Sequence, residues 1–137
     1  MVRVIKKAIQ DANIILEKVG YINAHGTSTI INDKTESAAI MKVFGKHSER
    51  LKVSSIKSMI GHLMAAAGAV EFASTVMSVH TGILPPTINH EEQDPECPLD
   101  YVTNGAETID LNTAISNSFG FGGGNACLVV KKYEREK

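Results

Sequence analysis

The chain has 137 residues, 43% hydrophobic and 21% charged, which is the make-up of one globular domain and excludes an intrinsically disordered polymer. Its 14 lysines and arginines against 15 aspartates and glutamates give a net charge of −1, and no basic stripe marks a nucleic-acid surface. The two cysteines, Cys97 and Cys127, are far apart and outside any C-x-x-C pair, which excludes a disulfide scaffold and fits two thiols in a reducing compartment.

The first seven residues lack the sustained apolar stretch of a secretion signal. The longest apolar region, Leu63 to Val79, is interrupted by Glu71 and several hydroxyl residues, so it does not read as a membrane span. A soluble cytoplasmic protein is expected, with neither nucleic acid nor membrane as partner. Residues 131–137 alternate in charge and read as a solvated tail.

Residues 3–18 place Ile5, Ala8, Ile9, Ala12 and Leu16 on one helical face, and Gly20 ends that helix. Residues 21–24 are a short strand. Asp33 opens a second helix, with Glu36 three residues on completing a capping box, Ile40, Val43 and Phe44 on the inner face and Gly45 as the stop. Residues 51–55 are a second short strand. A third helix spans about 61–81, with Gly82 just past its end and Pro85 and Pro86 preventing continuation. Its small apolar residues, among them Ala65, Ala66, Ala69, Val70, Ala73 and Val76, predict burial on most sides. Tyr101 and Val102 form a minor strand. Residues 114–117 and 126–130 flank a glycine-rich turn as two antiparallel strands. Strands alternating with helices predict an α/β layered fold with a largely parallel sheet.

Three strand-end loops carry unusual residues: His25 to Asn32, Ser54 to His62, and Asn117 to Asn125. In a parallel sheet these ends gather on one side, where sites form. His62, in the first turn of the third helix, sits where the helix dipole disfavours a positive charge, and Lys57 pushes the same way. A neutral imidazole can donate to a developing oxyanion, a use known for an isomerase histidine. Position alone equally allows His62 to cap its helix and Lys57 to lie on the surface. The other histidines, His47, His80 and His90, show no metal-ligand spacing, so no metal site is expected. The turn FGFGGGN opens a strand rather than a helix, which argues against phosphate binding and for a backbone amide presented to a ligand, as in an oxyanion hole.

Together NAHGTST, SIKSMIGHLMAAAGAVE and NSFGFGGGN, with PPTIN and DPECPLDYV, closely resemble the C-terminal part of the bacterial 3-oxoacyl-acyl-carrier-protein synthase II family. These are elongating condensing enzymes of the thiolase fold. The resemblance implies a thiolase-like layered α/β fold, here its C-terminal half, with a mixed sheet packed by helices. It implies that His25 and His62 bind the malonyl thioester and stabilise the enolate formed on decarboxylation. Lys57 would support His62, and Glu36 would be the buried glutamate near that lysine, compatible with its capping role and with Asp33 beside it. Phe121 would be the gating phenylalanine whose N–H is an oxyanion-hole donor, with Phe119 beside it. Thr27 and Thr29 would hydrogen-bond the phosphopantetheine arm delivered by acyl carrier protein carrying acyl or malonyl groups. The chain itself would bind no cofactor, and the full-length enzyme would be a homodimer.

Phe119 and Phe121 stand where a thiolase carries a cysteine in this turn, which points to decarboxylative chemistry. Ser28 stands where modular polyketide synthases usually carry glycine. Residues 30–32 and Gly124 depart from the family's usual residues. The family's nucleophilic cysteine sits at a helix N-terminus in the N-terminal half, and neither Cys97 nor Cys127 has such a setting. The 137 residues are therefore read as a single domain lacking that half, with apolar helix surface and a sheet edge exposed enough to promote association. The alternatives are a non-catalytic carrier-protein-binding or assembly fragment, or a ketosynthase of a polyketide pathway.

Overall fold

A computed structural model describes residues 1–133, which form a three-layer α/β/α sandwich. The elements run α1 (Val2–Asp11), β1 (Tyr21–Asn23), α2 (Ile30–Phe44), β2 (Lys52–Ser54), α3 (Lys57–Ile60), α4 (Ala67–Thr81), β3 (Ile83–Leu84), β4 (Asp100–Tyr101), β5 (Glu107–Thr108), β6 (Thr113–Phe119) and β7 (Asn125–Lys131). The main sheet has the order β4-β2-β1-β6-β7. Its first four strands are parallel and β7 returns antiparallel from β6. This is the mixed sheet expected. A separate two-stranded sheet of β3 and β5 has no counterpart in the sequence reading, because two-residue strands carry no periodicity.

Alternation along the strands separates the layers. Ile22 and Ile115 face α1 and α2 and join Ile5, Ile9, Ile40, Val43 and Phe44 in one core. Tyr21 and Ala114 face the other way and join Val79, Leu84 and Leu111 in a second. Asn23, next on that second face, donates to the Glu71 carbonyl of α4 at 3.0 Å and to Thr75 Oγ1 at 3.1 Å.

Four expected boundaries are corrected. The first helix stops at Asp11, because Asn13 turns left-handed at φ 51° and only a short 3₁₀ turn, Leu16–Lys18, follows. The second helix starts at Ile30, three residues earlier than expected, with Thr29 as its N-cap and no side-chain cap, so Asp33 and Glu36 form no capping box. Tyr101 pairs in a strand with Asp100 rather than with Val102. The helix expected over 61–81 is broken: Gly61 at φ 74° ends α3, Met64 at φ 50° turns again, and α4 begins only at Ala67. His62 thus lies in a loop and not in the first turn of a helix. Gly82 does close α4 in the left-handed region, and a Cβ there would meet the Ile109 carbonyl oxygen at 2.6 Å. The expected burial of α4 on most sides is also corrected, since Val70, Phe72, Val76 and Met77 are exposed. Lys131 to Tyr133 of the expected tail are exposed, and residues 134–137 lie outside the described residues.

Candidate active site

β1, β2 and β6 are parallel neighbours, so the loops after them meet at one edge of the sheet, as the three motifs required. His25 follows β1 and is 8% exposed. Lys57 opens α3 just after β2, is equally buried, and brings its Nζ to 3.4 Å from His25 Nδ1. An ammonium only donates, so Nδ1 accepts and the His25 ring proton sits on Nε2. The Met64 N–H donates to His62 Nδ1 at 3.1 Å, which leaves that ring's proton on Nε2 as well. The two rings meet edge to face with centroids 5.5 Å apart, and the Phe119 and His25 rings meet in a T-shaped contact with centroids 6.0 Å apart. Burial lowers the His25 pKa from 6.5 to about 4, with the charges of Lys57 and His62 pushing the same way.

The carboxylate paired with Lys57 is Glu71 of α4, not Glu36. The Glu71 and Lys57 side chains are 2% and 5% exposed, a fully interior ion pair. Sequence reasoning missed this role, although the signal was present: Glu71 is the one acidic residue in an otherwise apolar and hydroxyl-bearing run. Glu36 instead receives the backbone N–H groups of His25 and Gly26, each at 3.0 Å, and Asn117 Nδ2 at 3.1 Å. Burial pushes its carboxyl pKa up, and these three hydrogen bonds oppose that shift. Glu36 therefore shapes the loop that carries His25. Asn117, inside β6, is a second supporting residue to which the sequence reading assigned no role.

A cleft of 540 Å³ opens beside this cluster, lined by Thr27, Thr29, Asp33, Lys57 and His62 among others. The Thr27 and Thr29 hydroxyls are 3.1 Å apart at its exposed mouth, and Asp33 accepts from Asn32 at 3.0 Å. Between the threonines Ser28 holds φ 61°, a conformation glycine adopts without strain. Phe121 is not drawn into the cluster: it stands in a short turn over Phe121–Gly123 with its ring wholly exposed. The thiols keep the inert character expected of them. Burial and the nearby Glu36 raise the Cys127 pKa to about 12, far from a reactive thiolate, and Cys97 is buried in the cleft wall.

The mixed sheet, its layered helices and the histidine-bearing strand-end loops define a thiolase-like ketosynthase fold. The chain belongs to the family of the beta-ketoacyl synthase C-terminal domain, which it matches over residues 1–91. It is 49% identical to a 3-oxoacyl-[acyl-carrier-protein] synthase 2 of Synechocystis over 96% of its own length and 32% of that protein's. It superposes on an ishigamide ketosynthase/chain length factor with TM-score 0.93 and 44% identity, covering 97% of this chain and 32% of that one. A type II polyketide ketosynthase, solved with its acyl-carrier protein and bound to a hexaketide, superposes with TM-score 0.94 and 38% identity, over 97% of this chain and 33% of that one. The chain thus spans about a third of the length of the relatives it matches. The relatives are condensing enzymes of the acyltransferase type, and no helix among the described residues is long and apolar enough to cross a membrane.

Proposed function

We propose that this chain supplies the decarboxylation half of the active site of an elongating 3-oxoacyl-acyl-carrier-protein synthase of cytoplasmic fatty-acid synthesis. The observation that carries the reading is the paired histidines: each Nδ1 is occupied by an N–H donor, so two Nε2–H groups are left to donate. A malonyl thioester presents one carbonyl oxygen to them. As the bond to the terminal carboxylate breaks, CO2 leaves and its electron pair enters the enolate, whose oxygen takes the charge and the two hydrogen bonds. The low His25 pKa suits a group that donates a hydrogen bond while staying neutral, and Glu71 holds the lysine that helps to keep it so.

The enolate carbon then attacks an acyl thioester, forming the carbon–carbon bond and expelling a cysteine thiolate. Neither Cys97 nor Cys127 suits that part, so the acyl-bearing cysteine comes from the rest of the parent protein. Thr27 and Thr29, hydroxyls at the mouth of the cleft, fit the amides of a phosphopantetheine arm brought by acyl carrier protein. Phe119 and Phe121 act at the gate, Phe121 also offering its N–H to an oxyanion, and the whole enzyme is a homodimer. A ketosynthase of a polyketide pathway is the second reading, favoured by the polyketide neighbours among solved structures.

The test combines this chain with a polypeptide supplying the rest of such an enzyme and follows CO2 release and 3-oxoacyl product from malonyl-carrier protein. His25→Ala or His62→Ala should each slow decarboxylation by about 10²–10³-fold, the usual cost of one oxyanion donor. An assembled complex that binds carrier protein but releases no CO2 would sink the catalytic reading in favour of a binding or assembly module. Activity confined to polyketide starter groups would favour the second reading.

A further inference from the structure

Besides the Lys57–His25 contact, the loops bearing these two residues meet at Gly26 and Ser55. Ser55 Oγ donates to the Gly26 carbonyl oxygen at 3.0 Å, while the Gly26 N–H is held by Glu36. Gly26 has φ 40°, and a Cβ on it would lie 2.5 Å from Ser55 Cβ, so no side chain fits between the loops. Ser55 is itself anchored: its N–H donates to Thr87 Oγ1 at 2.9 Å, and its carbonyl accepts from Ser58 Oγ at 3.1 Å. Gly26, the residue after His25, is therefore held by Glu36 at its N–H and by Ser55 at its carbonyl oxygen. Lys57 follows Ser55 by two residues and leads its Nζ back to the same histidine.

We infer that Ser55 is a positioning residue that sets the spacing between the His25 imidazole and the Lys57 ammonium. This rests on the reading of His25 as an enolate-stabilising donor, but its test needs no substrate. The charged and titratable groups around His25 are Lys57 from α3, Glu71 from α4 behind Lys57, Glu36 from α2 on its backbone, and His62 from the loop before α4. With the clamp released, the imidazole gains water and distance from the ammonium, and both changes ease its protonation.

Histidine ring resonances of the chain are titrated by NMR, with His25 assigned through its loss in His25→Gln. In Ser55→Ala the His25 midpoint should rise from about 4 toward its ordinary 6.5, while Ser48→Ala, whose hydroxyl donates to the Gly45 carbonyl oxygen and takes no part in the clamp, should keep it near 4. Should Ser55→Ala not fold, Ser55→Cys retains the volume, lacks a strong donor, and is expected to raise the midpoint in the same direction. A merely structural serine would lower the melting temperature and leave His25 titrating near 4, and that result overturns the assignment. An equal rise in Ser48→Ala overturns it too. Loss of CO2 release with a normal His25 response would instead count against the catalytic reading alone.

Discussion

On the face of the sheet that packs α1 and α2, the helices turn their apolar sides inward, and Ile5, Ile9, Ile40, Val43 and Phe44 are at most 5% exposed. On the opposite face α4 is turned the other way. Glu71, Thr75 and Ser78 face the protein, while Val70, Phe72, Val76 and Met77 stand 37–56% exposed. The first face is a finished core. The second sets a carboxylate under the site, where it meets Lys57, and leaves its apolar surface outward. A helix with its polar side docked and its apolar side open is built to be covered from outside, which accords with a chain that spans about a third of the length of its relatives. It also supports the expectation that the chain associates with itself when alone.

The largest effect should come from the interior ion pair. Glu71→Ala leaves the Lys57 ammonium buried without its partner and should cost about 3–5 kcal/mol in urea denaturation. A loss below about 1 kcal/mol would mean that the pair is wet in solution and that α4 sits loosely on the sheet.

The contrast between the faces is tested by two substitutions. Ile40→Ala in the finished core should cost about 2–5 kcal/mol. Val76→Lys on the open face should change stability by no more than about 0.5 kcal/mol and should reduce self-association in sedimentation. Comparable losses at the two positions would show that the α4 face is closed in solution.

A further effect is a slope against pH. The His25 pKa is depressed in the folded chain, so the unfolded chain binds that proton first as the pH falls. Its contribution to stability is complete above about 6.5 and is lost between 6.5 and about 4. The steepest slope is that of one proton, about 1.4 kcal/mol per pH unit. Glu36, whose pKa is raised, contributes with the opposite sign, stability being lost as the pH rises past 4.5. The difference between wild type and His25→Gln isolates the histidine: the wild type should lose stability relative to the variant on acidification from 6.5 to 4. Parallel curves would place His25 in water.

The α/β class, the two strands around the glycine turn and the Gly45 and Gly82 stops were legible, because each rests on a local pattern or one residue's backbone preference. The start of α2 was not: Thr29 caps it without a side-chain bond, so the Asp33 and Glu36 signal pointed three residues too late. The break between Gly61 and Ala67 was hidden because alanine-rich sequence favours helix, and only the placement of His62 and of Met64 at φ 50° shows the turn. Within the site, the convergence of His25, His62 and Lys57 was foreseen, whereas it is Phe119 and not Phe121 that packs on His25. Glu36 was placed beside Lys57 and Glu71 was given no partner, because a sequence shows that both carboxylates exist but not which distant group each one meets.

The amino-acid sequence by itself determined the layered α/β class, the gathering of three loops at one sheet edge, the family, and the want of a suitably placed cysteine nucleophile. These follow from short-range periodicity and from residue types that the chemistry requires. Tertiary structure alone decided that Glu71 balances Lys57, that Glu36 and Ser55 hold Gly26, the residue after His25, from two sides, and that the apolar side of α4 faces outward. Each of these joins groups from different segments of the chain, and which distant groups become neighbours is set by the packing of the whole fold rather than by local pattern.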